Sequence, residues 1–90
     1  SGEKRVTLER EVEYLKSYID LQKLRFGNDI TIEFYTQVTR MDWPIEPMLL
    51  IPFVENAFKH GIGLISDPTI RINLTLNDHQ LHFSVHNKLI

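Results

Sequence analysis

Between Thr7 and Phe26 the chain runs for twenty residues without a proline or a glycine, and Leu8, Val12, Leu15, Ile19 and Phe26 recur along it at helical spacing. A helix of that length extends about 30 Å. In a chain of 90 residues, the remaining elements must then be short ones arranged to cover its apolar stripe. Gln22 is the one polar interruption. Tyr14, Tyr18 and Leu21 form a second, partly apolar line that either broadens the buried face or meets a partner subunit. Thr7 can cap the helix through its hydroxyl, Glu9 and Glu11 suit the positive helix start, and Gly27-Asn28 ends it.

A chain this short hides only about 60% of its unfolded surface, enough for one thin core. With 42% hydrophobic and 24% charged residues the composition is globular. Ten Lys and Arg against twelve Asp and Glu make no basic field for nucleic acid. The absence of cysteine excludes disulfides and thiolate metal sites. No apolar run approaches the roughly 20 residues that span a bilayer, and the start, Ser1 to Arg5, lacks the apolar core of a signal peptide. No membrane contact is expected of this segment, and a cytosolic setting is the default.

After the helix, Ile30, Ile32 and Phe34 alternate with Thr31, Glu33 and Tyr35, the pattern of a half-buried strand from Ile30 to Thr39. Asp42, Pro44 and Pro47 break regular structure, and Pro47 can open a second helix. Pro52 inside that apolar run predicts either a kink or a short turn followed by a main helix beginning at Pro52, stopped by Gly61. Ile70 to Leu76 and Leu81 to Val85 alternate again, joined by the loop-forming Asn77-Asp78-His79-Gln80. The expected order is helix, strand, helix, strand, strand. The expected class is α+β, a two-layer sandwich whose three strands form an antiparallel or mixed sheet with both helices on one face.

On the second helix, Asn56, Lys59 and His60 stand at i, i+3 and i+4, an amide, an ammonium and an imidazole among Phe53, Val54, Ala57 and Phe58. Such a face suits a metal-bound polyphosphate. Three segments, Glu11 to Gly27, Pro47-Met48-Leu49-Leu50-Ile51-Pro52, and Val54-Glu55-Asn56-Ala57-Phe58-Lys59-His60-Gly61, resemble the LytS-like bacterial sensor histidine kinases, over roughly Leu8 to Asn87. Those kinases have an ATP-binding domain of the gyrase, Hsp90, histidine kinase and MutL superfamily, the Bergerat fold. The last segment is similar to the N-box of that family. The resemblance implies that Asn56 holds the magnesium ion bridging the nucleotide phosphates and that Lys59 and His60 lie beside those phosphates. Magnesium keeps several waters and needs only one or two protein groups, so one amide oxygen is sufficient. His60, just before Gly61, either contacts phosphate or complements the helix dipole. Asn87 falls where the family has an acidic residue that reads the adenine amino group, and an amide oxygen can accept there too.

Hydrolysing members of that superfamily carry a general-base Glu four residues before the magnesium Asn, where this chain has Pro52. Glu55 points about 100° around the helix from Asn56. Both features favour transfer to histidine over hydrolysis. None of His60, His79, His82 and His86 lies in a phosphoacceptor motif. His82 and His86 lie opposite Leu81, Phe83 and Val85 on a strand and supply only two of the three or four ligands a metal site takes. The glycines, Gly2, Gly27, Gly61 and Gly63, form no phosphate loop, so negligible ATP and magnesium affinity is expected of the segment alone. By this resemblance, residues 1–27 lead from a dimerisation and phosphoacceptor region into the first part of the ATP-binding domain at 28–90. The resemblance also implies a homodimeric inner-membrane sensor as the parent, with this portion in the cytosol, that binds ATP, phosphorylates a histidine and passes the phosphoryl group to a response regulator. The alternative is a non-catalytic interaction module that keeps the fold.

Overall fold

In the computed structural model, which describes residues 4–60, 62 and 67–87, the elements run β1 (Val6–Thr7), α1 (Leu8–Phe26), β2 (Thr31–Val38), β3 (Pro44–Ile45), α2 (Ile51–His60), β4 (Thr69–Asn77) and β5 (Gln80–Asn87). The class is mixed α+β, with two helices and two sheets among the described residues. The larger sheet has the order β2-β4-β5, with β2 parallel to β4 and β4 antiparallel to β5, and is therefore mixed.

One side of this sheet is apolar. Ile70, Ile72, Leu74 and Leu76 of the central strand are buried, and Phe34, Phe83 and Val85 of the flanking strands pack against the same core. Leu8, Val12, Leu15 and Ile19 of α1 join that core with Ile51, Val54, Ala57 and Phe58 of α2. The opposite side is polar, with Glu33 accepting from Arg71 Nε at 2.7 Å across the parallel pair.

The start of α1 is secured from three directions. Thr7 Oγ1 accepts from the Arg10 amide at 3.3 Å, while the amides of Leu8 and Glu9 donate to the carbonyls of Trp43 (2.8 Å) and Met41 (2.9 Å). Three of the amides left free at a helix start are thus partnered. Antiparallel pairing of β1 with β3 (Val6 with Ile45, Thr7 with Pro44) brings that loop alongside. Gly27 ends the helix at φ 57°, its amide donating to Lys23 O. The hairpin turns on Asp78-His79, with Asp78 at φ 52° and Asn77 paired with Gln80.

Three expectations change. The strands β1 and β3, two residues each, are too short to leave an alternation in the sequence. Pro47 opens a turn and not a helix, because Met48 takes a positive φ of 60° and α2 starts only at Ile51. Tyr14 and Leu21, 45% and 62% exposed, do not broaden the buried face of α1, since the core reaches only as far round the helix as Tyr18. Gly61, the expected stop of α2, lies outside the described residues.

Candidate functional site: an amide-bearing cleft between α2 and β5

α2 buries Ile51, Val54, Ala57 and Phe58 and turns Phe53, Asn56, Lys59 and His60 outward, the division that a 3.6-residue period imposes on these positions. Pro52 sits in the first turn, where a missing amide hydrogen breaks no helical bond. Of the two outcomes expected for it, the short turn with a main helix starting beside it is the one observed. The Phe53 amide donates to Leu50 O at 3.2 Å to close that turn.

The turn itself is fixed from α1. Glu11, 4% exposed, accepts from the amides of Met48 (3.3 Å) and Leu50 (3.1 Å), which are 37 and 39 residues away in sequence. A carboxylate at that point also faces the positive end of α2. Glu11 thereby sets where the Asn56-bearing helix begins. Sequence reasoning assigned Glu11 only to its own helix start. The one signal pointing further is its place on the Leu8, Val12, Leu15 stripe.

Between α2 and β5 lies an open cleft of about 570 Å³, walled by Leu49, Phe53, Phe83 and Val85 and carrying Asn56 and Asn87. Phe53 is 61% exposed and meets Phe83 edge-on, with ring centroids 6.3 Å apart. Asn87 Oδ1 is buried and has no hydrogen-bond partner among the described residues. A buried acceptor left unpaired is destabilising, so this atom is suited to a donor supplied from outside. The walls of the cleft were visible in the sequence only as packing residues.

Of the four site residues expected from sequence, Asn56 and Asn87 come together in this cleft. Lys59 lines a different groove, between α1 and α2, together with Glu55. His60 is exposed at the end of α2. In the α1–α2 groove the Tyr18 hydroxyl is held above its usual pKa of 10.0, first by burial and then by the charge of Glu55. His82 and His86 are exposed on the polar side of β5, and no group of three or more potential metal-binding side chains forms among the described residues.

A family model described as histidine kinase matches residues 1–30, a stretch that contains Glu11 and stops before α2. The chain is 32% identical over 82 residues to the sensor protein LytS of Oceanobacillus iheyensis, covering 90% of this chain and 14% of that protein. It is 40% identical over 87 residues to an uncharacterized sensor-like histidine kinase of Staphylococcus epidermidis, covering 91% and 16%. With the sensor protein kinase HptS of Staphylococcus aureus it shares 37% over 81 residues, covering 89% and 15%. The chain is a stretch of LytS-like sensor histidine kinase sequence. It spans 14 to 16% of the length of these relatives. No helix among the described residues of this histidine-kinase segment is long and apolar enough to cross a membrane.

Proposed function

We propose that this segment forms one wall of the nucleotide site of a two-component sensor kinase, which binds magnesium ATP, phosphorylates a histidine and passes the phosphoryl group to a response regulator. The observation that carries the reading is the pairing of Asn56 and Asn87 in one apolar-walled cleft, with Asn87 Oδ1 buried and unpartnered. A base with an exocyclic amino group offers the donor that oxygen lacks, and its flat apolar faces suit the space beside Phe53 and Val85. Asn56 is exposed on the same cleft, and its amide oxygen is the type of neutral ligand that magnesium accepts beside phosphate oxygens.

In this reading Asn87 orients the base, Asn56 holds the metal, and His60 lies nearest the phosphate end at the close of α2. The bound nucleotide supplies the phosphoryl group. What the chain contributes is position, which is most of what phosphoryl transfer asks of a protein. Pro52 offers no proton acceptor four residues before Asn56, and Glu55 faces the α1 groove, so no side chain at either position is placed to activate water in the cleft. That arrangement favours a protein acceptor over hydrolysis.

In the kinase that carries this segment, Asn56→Ala is expected to abolish self-labelling from radioactive ATP while circular dichroism and melting stay unchanged. Undiminished labelling would refute the assignment. Asn87→Leu should raise the KM for ATP about tenfold to a hundredfold, the loss expected for one buried hydrogen bond.

A further inference from the structure

On the far side of α2 from the cleft, a groove of about 280 Å³ separates α1 from α2. Phe58 forms its base, edge-on to Tyr18 at 5.7 Å and stacked on Phe26 at 6.5 Å between ring centroids. Gln22 Oε1 is buried within it and accepts no hydrogen bond from the described residues. Arg25 lies over the Phe26 ring, 5.0 Å from its centroid, and Lys59 stands on the α2 side. Among the described residues neither cation forms an ion pair, although Glu55 lines the same groove.

We propose that this groove docks an acidic peptide segment of a partner protein, with a backbone N–H donating to Gln22 Oε1 and a carboxylate between Arg25 and Lys59. The two requirements together select the ligand. A bare anion such as sulfate satisfies the cations but, fully ionised at neutral pH, brings no donor for a buried carboxamide oxygen. A cationic or neutral ligand leaves Arg25 and Lys59 unmatched. A peptide carries an amide donor and a carboxylate a few bonds apart. Glu55 leaves the groove with two cations against one anion, a balance that admits one carboxylate and disfavours a polyanion such as nucleic acid. The Arg25 guanidinium is already held against the Phe26 ring, so less side-chain freedom is lost on binding.

The test is a titration of the protein, followed by amide nuclear magnetic resonance, with a blocked Asp-Gly-Asp peptide, with the same peptide carrying Asn for Asp, and with inorganic phosphate. The Asp peptide should shift the Gln22 side-chain amide and the backbone amides around Arg25 and Lys59 saturably, and the Asn peptide should bind at least tenfold more weakly. Charge reversal at the two exposed cations, Arg25→Glu with Lys59→Glu, should weaken the Asp peptide at least tenfold. Gln22→Met keeps length and charge pattern and should weaken it severalfold, and it decides the matter if the reversed variant loses its folded amide spectrum. Absence of a saturable shift at Gln22, equal response to phosphate, or unchanged affinity in these variants would overturn the proposal. Asn56→Ala should bind the peptide as before, so the outcome is separate from that of the nucleotide assignment.

Discussion

Glu11 is a buried carboxylate that forms no ion pair among the described residues, so the amides of Met48 and Leu50 that donate to it are what offset the cost of its burial. Replacing it by Gln turns one acceptor into a donor facing the amides of Met48 and Leu50, and a loss of about 1–3 kcal/mol is expected in urea unfolding. Glu11→Ala strips both amides of their partner and should lose more; an unchanged midpoint would mean that water replaces the carboxylate. This role was not legible in the sequence, because the partners lie 37 and 39 residues away and no local pattern records them. The placement of Asn56 on an exposed face of α2 was legible for the opposite reason: its context is a single helical turn. Tyr18 adds a pH dependence with a fixed sign. Its pKa is raised in the folded state, so above pH 10 the folded chain holds the proton that the unfolded chain releases, and stability falls as pH rises through that region. Comparing alkaline melting curves, Tyr18→Phe should have a shallower decline than the parent.

At the scale of elements, α1 was readable in the sequence from cap to stop because its signals are local: Thr7 at one end, Gly27 at the other, and an apolar stripe between. Gly27 is the sharper of the two ends. At φ 57° and ψ −130° it holds a backbone conformation that side chains avoid, and a Cβ there would meet nothing within 4 Å. Gly27→Ala therefore isolates backbone strain from crowding, and a destabilisation of about 1–2 kcal/mol is expected in thermal or urea melts. A neutral result would show that the turn relaxes into another conformation. β2 and the β4–β5 hairpin were equally readable, since alternation marks each strand and Asp78 takes the positive φ its residue type tolerates. The start of α2 was not. Pro47 is compatible with a first helical position, and only the Glu11 carboxylate, arriving from another element, holds Met48 and Leu50 in the turn that delays the helix to Ile51.

For the whole molecule, the division suggested by resemblance, with residues 1–27 as a leading helix and 28–90 as the start of a domain, has a thermodynamic consequence that can be measured. A leading helix with its own stability would melt apart from the sheet. In this fold Leu8 and Leu15 of α1 are as fully buried as Ile72 and Leu74 of the central strand, and all four belong to one hydrophobic core. Helices in proteins draw most of their stability from packing of an apolar face, so α1 owes its stability to that core, and the sheet in turn loses its cover without it. The two should therefore unfold as one cooperative unit. Helical ellipticity and the fluorescence of Trp43, the single tryptophan, report different parts of the molecule, since Trp43 lies in the loop beside Arg40 (5.5 Å) and His79 (6.0 Å). Both probes should give one midpoint in urea. Leu15→Ala in the helix and Leu74→Ala in the sheet should each lower that common midpoint, with a loss of about 2–5 kcal/mol in stability for a truncation in a packed core. If Leu15→Ala moved only the ellipticity transition and left Trp43 where it was, α1 would be an independent element, and the position of α2 could not be governed from it through Glu11.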